Sequence, residues 1–421
     1  MAQTDRLKGN EGNKSSCKFN LKYKTLHTTR TCLVTKWLCN YFKFRYIGYK
    51  PSANMKFSTC SLPLYLLLIS LLSCEPSSEW QQISNQLDTY FQKEFPADQP
   101  GGAILVMKNG KVLFEKGYGL ADLNTKEQIT ANTSFNTGSI SKTFVMNGIM
   151  ILKEEGKLSL EDPLEKYFPN FKNPEIGRKV KIVHLLNHSS GLIDSRKVRM
   201  DSVFYLTAKD IENFAPILAN DSTAFDAGSR FEYSNPGFNA LALIIEQVTG
   251  SRWQDFIIQR IFQTSGLKDS KITDGPYPQT GVAHAYVLDN GLFKEDDYGE
   301  EPTFPAAGNG GVWSSVRDLY RYEQALQKEV FLSEDIIKKT RTVYQPENWN
   351  SSIPSFIGYS WFIGNFNGEK VIYHTGDQGG FIADYVWIPS KNIFYTILCN
   401  TPKPTTRYRK FVLEKTWGLV E

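Results

Sequence analysis

Strand-like residues gather near the two ends of this 421-residue chain, and that distribution restricts the folds open to it. On the N-terminal side, residues 103–107 and 112–115 flank Asn109-Gly110, the strongest short signal for a β-hairpin. On the C-terminal side, residues 357–364, 370–374, 381–388 and 393–399 are strand-like. Turn signals separate them at Asn367-Gly368, Gly376 to Gly380 and Pro389-Ser390-Lys391-Asn392. Connections this short make neighbouring strands antiparallel. The roughly 240 residues between the two groups read as helices and long loops. A sheet assembled from both ends of the chain must therefore accept the middle as an insertion, with a cleft between the two parts.

The helical reading rests on period and punctuation. Trp80, Ile83, Leu87, Tyr90 and Phe91 recur at helical spacing over 79–94. The stretch 139–155 stops at Gly156, and 240–249 stops at Gly250. Residues 180–187 form another candidate, Ser315-Val316-Arg317-Asp318 has capping-box spacing, and a last helix is predicted over about 405–417. With 41% hydrophobic and 13% aromatic residues, the chain has enough apolar material for a large core.

Charge is unevenly spread. Residues 1–54 hold 11 Lys/Arg against 2 Asp/Glu, a net of +9, so the overall +4 leaves −5 on the remainder. A mildly acidic body gives no nucleic-acid surface. The basic segment, which contains Cys17, Cys32 and Cys39, reads either as a binding tail or as sequence upstream of the true start. Residues 55–74 favour the second. Met55-Lys56-Phe57-Ser58 opens a short basic region, Leu62 to Leu72 forms an apolar run of signal-peptide length, and Leu71-Leu72-Ser73-Cys74 resembles a bacterial lipobox. Residues 55–74 are thus expected to be a signal peptide lipidated at Cys74, with an ordinary signal or anchor as the alternative. The protein would then be exported and held on the outer side of a bacterial membrane. Cys60 would leave with the signal, and Cys399 is expected to be a buried small apolar residue rather than a disulfide partner.

Three short motifs carry chemistry. Ser139-Ile140-Ser141-Lys142 puts a hydroxyl and an amine one helical turn apart, where the amine can accept the hydroxyl proton. The motif is weak alone. Ser15…Lys18 and Ser265…Lys268 repeat it by chance, and a helix cap with a surface lysine would look the same. Tyr233-Ser234-Asn235 offers a phenol and a carboxamide on one loop, although Asn-Pro-Gly is also ordinary turn composition. Tyr373-His374-Thr375-Gly376 would end a strand with a titratable ring, a hydroxyl and a glycine that a ligand can approach.

In this order, and 94 and 141 residues apart, the three motifs resemble those of the serine β-lactamase and DD-peptidase superfamily, in particular its class C-like branch. Two further stretches agree: Leu185-Leu186-Asn187-His188-Ser189-Ser190-Gly191-Leu192, and Ala306 through Leu319. The resemblance covers about residues 80–420. It implies an α/β (α+β) β-lactamase/transpeptidase-like fold, with a sheet lobe at about 79–135 and 305–421 and a helical lobe at about 136–304 inside one catalytic domain, 75–421. It also implies roles. Ser139 would be the nucleophile, Lys142 and Tyr233 its proton partners, and Asn235, His374, Thr375 and Gly376 would hold substrate, Asn235 through its amide and Thr375 at a substrate carboxylate. The backbone N–H groups of Ser139 and Asp377 would form an oxyanion hole. His188 would be structural.

The expected reaction is acyl transfer to water from a D-Ala peptide, a β-lactam or a small ester, without metal or cofactor, by a monomer. The alternative is a catalytically silent, membrane-anchored module that binds peptidoglycan or another ligand. His374, where many β-lactamases carry lysine, would make the positive charge depend on pH near neutrality, which favours a peptidase or esterase. Asp377 adds an acidic side chain whose effect the sequence leaves open.

Overall fold

The computed structural model describes residues 78–195, 210–272, 274–275, 280–296, 304–305 and 307–419, all within the unit Glu75–Glu421. The basic segment, the signal-like run and Cys74 lie outside these residues. Among the described residues, no helix is long and apolar enough to cross a membrane.

The hairpin forms as its turn residues require. β1 (Gly102–Lys108) and β2 (Lys111–Tyr118) pair antiparallel. Asn109 and Gly110, at φ 53° and 78°, supply the two left-handed residues of a two-residue turn. The C-terminal strands are β3 (Phe362–Phe366), β4 (Glu369–Gln378), β5 (Phe381–Ile388) and β6 (Ile393–Cys399). They complete a six-stranded sheet in the order β3-β4-β5-β6-β1-β2. β1 pairs antiparallel with β6, from Gly102 opposite Cys399 to Lys108 opposite Ile393. The two ends of the chain thus build one sheet. Cys399 is a free, buried thiol whose pKa burial pushes up.

Both faces of the sheet are covered, which is why β1 is buried at every position. On one face, Ile104, Val106, Tyr395 and Ile397 meet α1 (Ser78–Glu94) and the C-terminal helix through Leu87, Phe91, Tyr408 and Val412. On the other, Ala103, Leu105 and Met107 join the larger core. That core includes α2 (Ser141–Glu154), α3 (Ile182–Leu186), α4 (Asn235–Thr249) and α5 (Val316–Gln327). α2 is buried without interruption from Ser141 to Leu152, so it runs through the interior rather than along the surface. The last helix, α6, spans Thr405–Thr416.

Three sequence expectations need correction. The strand expected over 357–364 starts only at Phe362. Ser360 takes φ 63° and the Gly358 N–H bonds the Trp361 carbonyl, so the preceding residues form a turn. β4 continues through Gly376 to Gln378, and the turn is confined to Gly379-Gly380. α4 begins at Asn235, five residues earlier than its apolar period suggests. Ser234 caps it by accepting the Gly237 N–H, and Pro236 fits the first turn.

Candidate active site

Ser139 lies in a 3-10 turn, Gly138–Ile140, that leads directly into α2. Its position is fixed from three sides. The Thr137 N–H and hydroxyl both donate to the Val312 carbonyl (2.9 and 2.7 Å), and the Val312 N–H donates to Ser141 Oγ (3.1 Å). Gly138, at φ 51°, gives its N–H to Asn136 Oδ1. Two glycines then let the turn press against β4. A Cβ on Gly376 would stand 1.9 Å from the Thr137 carbonyl oxygen, and one on Gly138 would stand 2.7 Å from the Asp377 amide nitrogen. The Ser139 turn and the Asp377 amide are therefore packed together, the proximity a two-amide oxyanion site needs.

Lys142 is fully buried one turn along α2. Its Nζ lies 2.9 Å from Ser139 Oγ and 2.7 Å from the Asn309 carbonyl, to which it donates. The Tyr233 ring centroid is 5.0 Å from the same nitrogen and the Phe238 centroid 5.9 Å, both within cation–π range. Tyr233 is 39% exposed, so its ring borders both solvent and Lys142. Asn235 is half-buried on the first turn of α4, one residue past the cap. Tyr233 and Asn235 thus flank a helix start rather than share a loop.

His188 does more than shape the helical lobe. Its buried ring stacks on Tyr233 at 4.4 Å and 25°. Its Nδ1 accepts the Ser234 N–H (3.0 Å) and its carbonyl accepts the Glu232 N–H (2.9 Å). The residues on both sides of Tyr233 are therefore tied to His188. Asn309, inside the stretch 306–319, and Asn239, which no motif marks, also belong to the site. Asn239 Nδ2 donates to Asn309 Oδ1 (2.8 Å) and to the Ala307 carbonyl, which fixes the loop that accepts from Lys142. The sequence signals for that loop are its glycines at 308, 310 and 311 and its place in the stretch 306–319.

His374 overturns an expectation. It is 1% exposed, its Nδ1 donates to the Thr375 carbonyl (2.7 Å), and Lys142 lies nearby. Burial first and the Lys142 charge second push its pKa down to about 3, so the ring is neutral throughout the physiological range. No pH-dependent cation stands here. KM for an acidic substrate is therefore expected to stay flat between pH 6 and 8, and a rise of severalfold across that window would contradict the assignment. The titration appears in stability instead. His374, His184 (about 4) and His188 (well below its usual value) are neutral when folded but take up protons below pH 6.5 when unfolded. The unfolded state binds more protons there, so unfolding free energy falls as pH drops from 6.5 toward 4.

Thr375 is exposed, and strand alternation turns it to the opposite face from His374. β3 pairs with β4 only as far as Tyr373, whereas β4 runs on to Gln378. Residues 374–378 thus have no strand partner on that side among the described residues. A ligand that meets both His374 and Thr375 must lie along this edge, in reach of Ser139.

Comparisons with known proteins agree with this fold. The family described as "Beta-lactamase" matches residues 91–413. Penicillin-binding protein 4* of Bacillus subtilis (strain 168) is 29% identical over 317 residues, covering 72% of this chain and 68% of that protein. Protein flp of Staphylococcus aureus (strain NCTC 8325 / PS 47) is 27% identical over 327 residues, and the match spans 75% of this chain but only 62% of that protein. Among solved structures, the octameric penicillin-binding protein homologue from Pyrococcus abyssi superposes with a TM-score of 0.68 at 29% identity, covering 79% of this chain and 77% of that one. The D-amino acid amidase from Ochrobactrum anthropi SV3 complexed with L-phenylalanine amide gives 0.66 at 21% identity, over 80% and 98% of the two chains, a likeness of fold.

Proposed function

The chain belongs to the β-lactamase family, and on that premise we propose that it is a serine hydrolase that opens amide or ester bonds through an acyl-enzyme on Ser139. The observation that carries the reading is the 2.9 Å contact between the buried Lys142 amine and Ser139 Oγ. At that distance a proton passes from hydroxyl to amine as Oγ attacks the substrate carbonyl. Negative charge developing on the carbonyl oxygen is met by the backbone N–H groups of Ser139 and Asp377. Collapse of the tetrahedral species breaks the bond to the leaving group, which takes its proton from Lys142 or Tyr233. Water, giving a proton to the same pair, then attacks the ester carbonyl; the bond to Oγ breaks, Oγ takes that proton back, and the acid is released. Asn235, His374, Thr375 and Gly376 line the path of the substrate. The names of the relatives, a penicillin-binding protein and a D-amino acid amidase, support amide chemistry. Export and anchoring through Cys74 rest on the run at 55–74.

Two probes test the reading. A p-nitrophenyl ester and a fluorescent penicillin are each incubated with the enzyme, and the adduct is mapped by mass spectrometry. Acylation of Ser139 by the ester at least is expected, together with its complete loss in Ser139→Ala. If neither probe modifies Ser139 and no ester is turned over, the proposal fails.

A further inference from the structure

We infer that the β4 edge beside Ser139 selects against substrates with a carboxylate on the leaving group, so the enzyme prefers amides and esters whose leaving groups are neutral or cationic over peptides that end in a free carboxylate. The inference rests on the acyl-enzyme reading above and narrows its substrate class.

The charge inventory of the edge supports it. A carboxylate held next to the scissile bond needs a cation or a set of donors. His374 occupies the position where many β-lactamases carry lysine, and it supplies neither. The Thr375 carbonyl accepts from Nδ1–H, so in the neutral ring Nε2 is a lone-pair acceptor, buried and without a protein partner. Lys142 is the nearby basic group, and its Nζ is already engaged by Ser139 Oγ and the Asn309 carbonyl.

An anion stands where a donor would be needed. Asp377, three residues beyond His374 on the same unpartnered edge, makes no ion pair or hydrogen bond through its side chain among the described residues. Its exposed carboxylate lies on the face it shares with Thr375, and its own amide nitrogen lies against Gly138, the residue before the nucleophile. The backbone of Asp296 meets the same end of the strand. The turn after β4 is held by the Gly380 N–H donating to the Asp296 carbonyl, which brings Asp296 beside it. Two basic groups that reach this sheet do not offset this. Lys370 of β4 donates to the Arg341 carbonyl. Arg409 reaches the sheet from α6 but is committed to Asp384 by a two-point ion pair. A leaving-group carboxylate bound along this edge would meet like charge, and an ammonium or neutral amide would not.

The test uses one acyl donor, N-acetyl-D-alanyl, joined to three leaving groups: D-alanine, D-alaninamide and mono-protonated 1,2-diaminoethane. For the intact enzyme, kcat/KM for the D-alaninamide and diaminoethane compounds is expected to exceed that for the D-alanine compound by about tenfold or more, the size of a like-charge contact a few ångströms apart in a partly solvated site. Asp377→Asn, which keeps side-chain size, should shift the D-alanine/D-alaninamide ratio toward the acid by about the same factor. A ratio taken within one variant is insensitive to loss of folded protein. Equal or better turnover of the D-alanine compound by the intact enzyme overturns this inference while leaving the Ser139 acyl-enzyme in place. An unchanged ratio in Asp377→Asn overturns the role of Asp377. Absence of acylation by all three compounds and by the p-nitrophenyl ester overturns the parent reading and this one with it.

Discussion

Replacing Lys142 with methionine should slow acylation of Ser139 by roughly a thousandfold, within the range that a positioned acid–base group supplies. Methionine fills the buried space that the lysine stem occupies on α2 but can neither take the Ser139 proton nor donate to Asn309. The informative companion is Lys142→Arg. Arginine keeps a positive charge and donors for the Asn309 carbonyl, yet it cannot lose its proton in a protein. If Lys142 acts as a base, the arginine variant is as slow as the methionine variant. If it serves only as a fixed charge, arginine restores a large part of the rate. Stopped-flow measurement of p-nitrophenol release separates the two, with Ser139→Ala setting the background. Acylation of Lys142→Met within tenfold of the parent would sink the role assigned to this residue.

Much of this site is legible in the sequence because its parts are local. Ser139 and Lys142 share one helical turn, and Tyr233 and Asn235 bracket one helix cap, so spacing alone nominates them. The near-continuous apolar runs of 381–388 and 393–399, the short turns between the strands and the Asn109-Gly110 turn likewise specify most of the sheet. The hidden part depends on contacts across the chain. Nothing near His188 announces that its ring lies on Tyr233, 45 residues away. Nothing near Asn309 announces that its carbonyl accepts from Lys142, a separation of 167 residues. His374 misleads for the same reason. Its residue type suggests a titration near neutrality, but burial and the neighbouring Lys142, both tertiary facts, remove it. The stretch 357–364 fails differently. Its apolar residues are buried, Ile357, Tyr359 and Trp361 among them, but in a turn, and an apolar run cannot distinguish the two.

The largest stability effect is expected far from the nucleophile, at an ion pair with no signature in the sequence. Glu323 of α5 and Arg341 form a two-point pair (2.9 and 2.7 Å) with side chains 0% and 6% exposed. The Tyr385 hydroxyl also donates to Glu323, Gln327 adds a bond at 3.2 Å, and the guanidinium stacks 5.0 Å from the Trp361 ring. Burial works against the charge on Arg341, but the Glu323 carboxylate more than offsets it and raises the arginine pKa. The cluster joins α5 to β5 and to the segment before β3. One residue before Glu323, Tyr322 stacks on Phe144 of α2 at 4.2 Å, so this corner also supports the helix that follows Ser139. Removing only Arg341 strands a buried carboxylate, which costs about 3–5 kcal/mol. Arg341→Met should therefore lower the unfolding free energy in urea at pH 7 by that amount. The double variant Glu323→Leu/Arg341→Met should recover most of it, because an apolar pair of similar volume leaves no charge unpaired. Arg341→Met within 1 kcal/mol of the parent would show that water or a rearranged partner reaches Glu323, contrary to its complete burial. A double variant no better than the single would locate the stabilisation in the stacking on Trp361 rather than in the charge pair.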